Sequence, residues 1–295
     1  MIRPALDWSD VFSFQDYDKL LALVSNSLIA GAVLGIVGGL IGIFIMQRDM
    51  AFAVHGVSEL SFAGAAAALL FGGSVVAGSL AGAIAAALLI GLLGSRARDR
   101  NSIVGVLMPF GLGLGILFLS LYEGRSANRF SLLTGQIISV TTPDLGWLIG
   151  ISVAVLIALV LVWNPLRFDS LDPDSAAARG VPSTFVSMLF MLLMGLIVAV
   201  AVHIIGALLV MALLVTPAAA AMKVVHGPLS VPLLSALFGL VSAVGGILLA
   251  IAGTLPVSPY ITTISFLIYL VCRVIAWSRD RAVRRRTQPV PTPAE

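Results

Sequence analysis

Charged residues and cysteines are scarce in this sequence. Only 11% of its 295 residues are charged and 59% are hydrophobic, with a mean hydropathy of +1.09, whereas a soluble globular chain is nearer a quarter charged. The single cysteine, Cys272, excludes an intrachain disulfide and a thiolate metal cluster. Redox chemistry is therefore not expected. The low content of charged residues predicts that most of the surface does not face water.

Signatures of enzymes are missing as well. The lysines, Lys19 and Lys223, are followed by leucine and valine, so the sequence has no Gly-x-x-x-x-Gly-Lys-Ser/Thr loop for a nucleotide. Neither His-Glu-x-x-His nor a Gly-x-Ser-x-Gly serine elbow is present. We therefore predict that the chain is not an enzyme.

What the sequence does contain is a series of apolar runs of roughly 20 residues, the length that a helix needs to cross a bilayer. The runs cover residues 20–46, 51–72, 74–93, 103–122, 145–163, 184–221, 229–252 and 257–277. They predict an all-α fold, a polytopic integral membrane protein with about eight to nine transmembrane helices. The number depends on 184–221, which is too long for one ordinary span and slightly short for two, so a broken or re-entrant helix pair fits there.

Basic residues indicate which ends of the spans share a side of the membrane. Arg96, Arg98 and Arg100 form one cluster, and a second lies between Arg279 and Arg286 after the last apolar run. The positive-inside rule places both clusters in the cytoplasm, which requires 184–221 to cross twice and favours nine crossings. The pI near 9.4 then reflects a cytoplasmic tail, and no nucleic acid partner is expected.

These patterns divide the chain into three regions. Residues 1–19 combine aspartates with aromatic residues, which predicts an interfacial segment that is not a cleaved signal. Residues 20–278 form the transmembrane domain, surrounded by the lipid bilayer. Residues 279–295 are a basic, proline-containing cytoplasmic tail that is predicted to be disordered.

Glu59 is the one acidic residue of 14 that the runs place inside a span, and the others are expected in loops or termini. His55 precedes it by four residues, so on a helix both side chains project from one face about a turn apart. A carboxylate in hydrocarbon costs several kcal/mol, so a purely structural Glu59 needs a close hydrogen bond, for which His55 is a candidate. The functional interpretation is that the pair lines a path for a first-row divalent cation.

One chain offers few ligands at this position. Two ligands are too few for a tight metal site, and a symmetric dimer would supply four, whereas without a dimer the pair is more typical of a proton relay. His203 lies within 184–221 and is either a packed, hydrogen-bonded histidine or a second contact on the path. His226 and Lys223 are expected in a solvated loop.

Four separated segments carry a likeness to a known family. They are 38–64, with a basic turn followed by His55 and Glu59; 132–145, Leu-Leu-Thr-Gly-Gln-Ile-Ile-Ser-Val with a trailing Asp-Leu; 172–181, an acidic, alanine-containing loop ending in Gly-Val; and 206–221, Gly-Ala-Leu-Leu-Val-Met-Ala-Leu-Leu-Val-Thr-Pro-Ala-Ala-Ala-Ala. In this order and spacing, the chain resembles the permease subunits of the zinc and manganese class of ABC importers, the ABC-3 family.

The resemblance implies a homodimeric permease in the plasma or inner membrane. A cytoplasmic ATP-binding subunit would drive it and an extracytoplasmic metal-binding protein would deliver a zinc or manganese ion, with no permanently bound cofactor. In the family, the Asp and His of a Gly-Asp-x-x-x-His motif are thought to meet the cation, and by position they fall on His55 and Glu59. Here the carboxylate and the imidazole have exchanged places and the glycine is Val54, which leaves the choice of metal open.

The resemblance also suggests a coupling helix that faces the ATPase. It is similar to the segment Thr216, Pro217, Ala218, Ala219, Ala220, Ala221 and Met222. Thr216 suits a helix N-cap and Pro217 its first turn, and 218–222 would lie in a groove of the ATPase. Two other functions stay open: an ABC permease for a metal chelate or another small solute, and a proton-coupled secondary transporter that uses Glu59.

Overall fold

The structure is a computed structural model that describes residues 21, 23–94, 97–124, 132, 135, 137, 140–253 and 256–286, without the side chains of 97–99, 208 and 282–286. Its helices are α1 (Ser25–Gln47), α2 (Ala51–Leu70), α3 (Val75–Leu93), α4 (Ala97–Leu121), α5 (Thr142–Leu161), α6 (Trp163–Leu171), α7 (Pro173–Ala178), α8 (Ser183–Ile205), α9 (Ala207–Leu214), α10 (Thr216–Val224), α11 (Ser230–Ile251) and α12 (Val257–Arg286). The predicted all-α fold is confirmed.

Eight of these helices are long and apolar enough to cross a membrane, namely α1, α2, α3, α4 from Arg100, α5, α8, α11 and α12 as far as Arg281. A helix satisfies its backbone polar groups internally, as hydrocarbon requires of a spanning segment. Polar caps mark two of the starts, where Ser74 accepts a hydrogen bond at the N-terminus of α3 and Thr141 does so at that of α5. The chain is a multi-pass membrane protein.

The predicted break within 184–221 lies at Gly206, which ends α8 with a φ of +82°. Glycine adopts this backbone conformation readily because it has no Cβ. Residues 207–224 then continue as α9 and α10, helices of 8 and 9 residues that are each too short to cross a bilayer. The long apolar segment is therefore one unbroken span followed by two short helices.

The two short helices carry the chain back along α1. Gly38 of α1 lies against α9 and Gly42 lies against both α9 and α10, so the pair advances in the same direction as α1. The end of α10 meets the end of α12, where the Arg279 guanidinium donates a hydrogen bond of 2.8 Å to the Val224 carbonyl. The described chain thus runs the length of the bundle eight times as a long helix and once more as this pair.

Basic residues gather at one end of the bundle. Arg100 at the start of the α4 span donates a hydrogen bond to the Arg48 carbonyl after α1. A cleft at the same end is lined by Arg167 of α6 and by Val225. The residue before Val225 is Val224, whose carbonyl accepts the hydrogen bond from Arg279. The positive-inside rule predicts that this end faces the cytoplasm, and we call it the cytoplasmic end. Arg100 shares it with Arg279 near the end of α12.

Glycines let the backbones of neighbouring helices approach closely. Gly35 of α1 packs on Gly239 of α11, and Gly64 of α2 packs on Gly78 of α3, so a methyl group at any of them would meet backbone atoms. Helices associate in lipid largely through such close packing, because the hydrophobic effect does not drive them together there. These contacts hold α1 against α11 and α2 against α3.

The prediction of disorder from residue 279 onward is wrong for 279–286. α12 continues to Arg286 because arginine and alanine favour helix, and after Pro259 in its first turn the next proline is Pro289. The predicted interfacial segment 1–19 and the rest of the tail, 287–295, lie outside the described residues.

Candidate functional site

His55 and Glu59 lie on α2, which starts at the cytoplasmic end of the bundle. Glu59 follows the first residue of the helix, Ala51, by eight positions, which places it about 12 Å along the helix axis. The hydrocarbon core of a bilayer is about 30 Å thick, so this depth is close to its middle. α2 contacts α3, α4, α8 and α9, so the carboxylate faces protein rather than lipid.

Small residues bring the neighbouring helices close to Glu59. Gly111 of α4 packs on the Glu59 backbone, and Gly82 of α3 packs on the carbonyl of Leu60. Glu59 is only 4% exposed as a result, whereas the His55 side chain is 27% exposed. The carboxylate is therefore enclosed, and the imidazole is the more accessible member of the pair.

The two side chains are close without forming a hydrogen bond. Nε2 of His55 lies 3.6 Å from Oε1 of Glu59, which is beyond hydrogen-bond reach but within reach of a charge interaction. Oε2 of Glu59 is buried and has no hydrogen-bond partner among the described residues. A structural Glu59 would require a close hydrogen bond, and the described part of the chain does not provide one.

This arrangement suits a site that a cation visits. A buried carboxylate oxygen without a partner is costly, and a bound cation or proton would offset that cost. Imidazole nitrogen with carboxylate oxygen is a common ligand set for first-row divalent cations. Within the described ranges no group of three or more His, Cys, Asp or Glu side chains forms, so one chain does not build a closed metal site there.

His203 lies at the opposite end of the bundle from Arg48, in the last turn of α8. Its Nε2 is 3.1 Å from Oδ1 of Asp144, at the start of α5. The Thr141 hydroxyl donates to the other oxygen of that carboxylate over 2.6 Å. These contacts provide the packed, hydrogen-bonded histidine that was one of two interpretations, and the role of His203 as a second contact on the path stays a prediction.

Two acids expected in loops instead have fixed places in the bundle. Asp144 is in the first turn of α5, and Asp169 of α6 is 4% exposed beside Arg48. The Arg48 guanidinium lies 2.5 Å from Oδ2 of Asp169 and donates to the hydroxyls of Ser170 and Ser187 over 2.8 and 2.9 Å. This cluster, which we call the Arg48 cluster, ties α1, α6 and α8 together at the cytoplasmic end.

α10 begins at Thr216, as predicted, with Pro217 in its first turn. The cap position is held by Val215, and no side chain caps the helix. Thr216 is therefore the first helical residue rather than the N-cap. Pro217 fits this position because its missing N–H would have no partner in the first turn of a helix.

Only part of the surface of α10 is accessible from outside the chain. Three of its alanines are fully buried inside the chain, namely Ala218, Ala220 and Ala221. Buried side chains cannot contact another protein, so Ala219 and Met222 are the members of 218–222 that could do so, and the docking of this segment in a groove of an ATPase stays a prediction. Ala219 and Met222 are partly accessible and Lys223 is exposed, as is His226, in agreement with the solvated loop predicted there.

Curated relatives of the chain share most of its length. The manganese transport system membrane protein MntC of Halalkalibacterium halodurans is 32% identical over 234 residues, which are 78% of this chain and 80% of that protein. The manganese import system permease protein ScaB of Streptococcus parasanguinis is 28% identical over 267 residues, 90% of this chain and 95% of that protein.

A solved structure shares the fold. PsaBC from Streptococcus pneumoniae in complex with Fab contains a chain that superposes with a TM-score of 0.79 at 26% identity, covering 88% of this chain and 95% of its own. The ABC 3 transport family matches residues 21–276, a range that takes in α1 to α11 and most of α12. A match over this much of the sequence shows that the chain belongs to the ABC 3 transport family.

Proposed function

We propose that this chain is the permease subunit of an ABC importer that moves a divalent metal ion, manganese or zinc, across the plasma membrane. The observation that carries the proposal is Glu59, an enclosed carboxylate near the middle of the membrane with His55 at 3.6 Å. Manganese is the first ion to test, because the names of two relatives refer to it.

In this proposal His55 and Glu59 form a transient binding site for the cation. Glu59 balances the charge of the ion, and His55 supplies a nitrogen ligand from its more accessible position. Two ligands bind weakly, which suits transport because the ion must also leave. A homodimer would bring a second pair and raise the number of ligands to four.

Partners supply what this chain lacks. No nucleotide-binding loop is present in the sequence, so a cytoplasmic ATP-binding subunit would provide the energy. It would dock at the end of the bundle that carries the Arg48 cluster and the accessible residues of α10. An extracytoplasmic metal-binding protein would deliver the ion at the other end.

The function is tested by measuring cellular metals with and without the chain. Cells that lack it are expected to contain less manganese or zinc when the external metal is scarce, and the intact chain should restore the level. Elemental mass spectrometry of manganese, zinc and iron provides the measurement. Unchanged levels of manganese and zinc would refute a metal cargo.

Reconstituted vesicles separate this proposal from the alternatives. Free manganese or zinc should enter only when the metal-binding protein, the ATP-binding subunit and ATP are all present. Uptake by the chain alone under a proton gradient would instead identify a secondary transporter. Uptake that requires a chelator would identify a permease for metal chelates.

Replacing Ala219 with tryptophan is expected to lower metal uptake while the ATP-binding subunit still hydrolyses ATP. Ala219 is the accessible alanine of α10, and a large side chain there would obstruct a docked ATPase without filling the core. Metal uptake should fall about tenfold, the loss that 1.4 kcal/mol of weakened docking produces. The matched control is Ala154→Trp on the exposed face of α5, and equal uptake in the two variants would remove α10 from the docking surface.

A further inference from the structure

An apolar groove of about 560 Å³ lies on the outside of the bundle, where α10, α11 and α12 meet. Its walls are almost entirely aliphatic and aromatic, with Phe238 of α11 and Ile268 of α12 among them. Leu267 and Val271 of α12 line it and are 51% and 56% exposed. In a membrane-spanning bundle, such a groove opens toward acyl chains.

The groove has the length of one leaflet. Along α12 its lining extends from Ile264 to Arg279, which corresponds to about 22 Å of helix. A bilayer with its headgroups is about 40–45 Å thick, so one leaflet is about half of that. Because Arg279 is at the cytoplasmic end of the bundle, the groove lies in the cytoplasmic leaflet.

The polar end of the groove carries positive charge. The Arg279 guanidinium donates one hydrogen bond to the Val224 carbonyl, and no carboxylate forms an ion pair with it within the described ranges. Lys223 directly precedes Val224, the partner of Arg279, and adds a second cation near this end, where Asp280 follows Arg279 in the sequence. This end of the groove therefore has the charge that attracts an anionic headgroup.

An aromatic residue marks the level of the headgroups. The Arg281 guanidinium lies 3.5 Å from the centre of the Trp277 ring, and Trp277 is 54% exposed. Tryptophan at the surface of a transmembrane helix concentrates at the interface between hydrocarbon and water. Trp277 is two residues before Arg279, so the guanidinium of Arg279 lies where lipid phosphates are found.

We propose that this groove binds an anionic phospholipid of the cytoplasmic leaflet, with an acyl chain along α12 and the phosphate at Arg279. Basic pockets between transmembrane helices on the cytoplasmic side bind such headgroups by charge attraction. A zwitterionic lipid fills the same apolar space but gains less from the cations. The site is independent of the proposed cargo and needs only that the chain spans the membrane.

The test uses the full chain reconstituted in vesicles of equal parts phosphatidylglycerol and phosphatidylcholine, then extracted in mild detergent. Mass spectrometry counts the phospholipids that remain bound. Phosphatidylglycerol should be enriched, and Arg279→Gln should lower the enrichment about fivefold, the effect of one cation near an anionic surface. Arg279→Lys, which keeps the charge, should retain most of it.

Two further variants locate the lipid. Arg179→Gln removes a cation from the same side of the membrane but away from the groove, and it should leave the enrichment unchanged. Ile268→Trp narrows the groove and should reduce both bound lipids, with an unchanged melting temperature showing that the chain is folded. Equal losses in the Arg179 and Arg279 variants, or full binding in the Ile268 variant, would overturn the proposal.

A second copy of the chain is the competing occupant. Val271→Cys in a Cys272→Ala background places a single thiol on the exposed wall of the groove, where a short thiol crosslinker would join two copies if they met there. Crosslinked dimers in native membranes would refute lipid binding at this site. Their absence, together with phosphatidylglycerol enrichment, supports it.

Discussion

Glu59→Gln is expected to lower metal uptake at least about tenfold while the chain still accumulates in the membrane, since losing even an outer-sphere partner of a metal costs about that much. Glutamine keeps the shape of the side chain but removes the charge that would balance the cation. It also removes the cost of a buried carboxylate whose Oε2 has no hydrogen-bond partner among the described residues. The variant should therefore be more stable than the wild type and should transport less metal.

The measurement is initial uptake of manganese and zinc per amount of chain in the membrane. Glu123→Gln is the matched control, because it makes the same chemical change at an exposed position and should transport normally. Wild-type uptake by the Glu59 variant would make Glu59 structural. The double exchange His55→Glu with Glu59→His restores the order of the family motif, and any change in the ratio of manganese to zinc would show that the order affects selectivity.

Arg48→Ala is expected to destabilise the chain by about 3–5 kcal/mol, because it leaves the buried Asp169 carboxylate without its ion pair. The substitution also removes the hydrogen bonds to Ser170 and Ser187 that join α1 to α6 and α8. A lower melting temperature in detergent and less chain in the membrane are the measurements. The exposed Arg179→Ala, on the same side, should change stability by less than about 0.5 kcal/mol.

A double variant separates the ion pair from the packing. Arg48→Met combined with Asp169→Leu replaces both charges with apolar groups of similar volume, and buried pairs replaced in this way often regain stability. The double variant should therefore melt well above Arg48→Ala. If the two melt alike, the loss arises from packing around α1 rather than from an unpaired carboxylate.

Features that depend on local spacing could be predicted from the sequence. The His55 and Glu59 pair is four residues apart on one helix, and helical geometry alone brings such side chains together. The break in the long apolar segment was likewise predictable, since Gly206 interrupts a run too long for one span. The other spans could be predicted from the length of their apolar runs, because the thickness of the bilayer sets the length that a spanning helix needs.

Contacts between distant residues could not be predicted in the same way. Asp144 and His203 are separated by 59 positions, and Arg48 and Asp169 by 121. Both acids follow or precede apolar runs, so hydropathy assigned them to loops, although tertiary packing gives each a specific partner. The buried face of α10 was also hidden, because four consecutive alanines have no amphipathic pattern.

The return of the chain through α9 and α10 has a consequence for how the protein is made. A segment of two short helices cannot partition into lipid by itself, because the break near Thr216 would expose backbone polar groups to hydrocarbon. α1 offers a surface of glycines against which the pair packs. Insertion of 207–224 is therefore expected to follow that of α1, which makes the first of the described helices the template for one of the last.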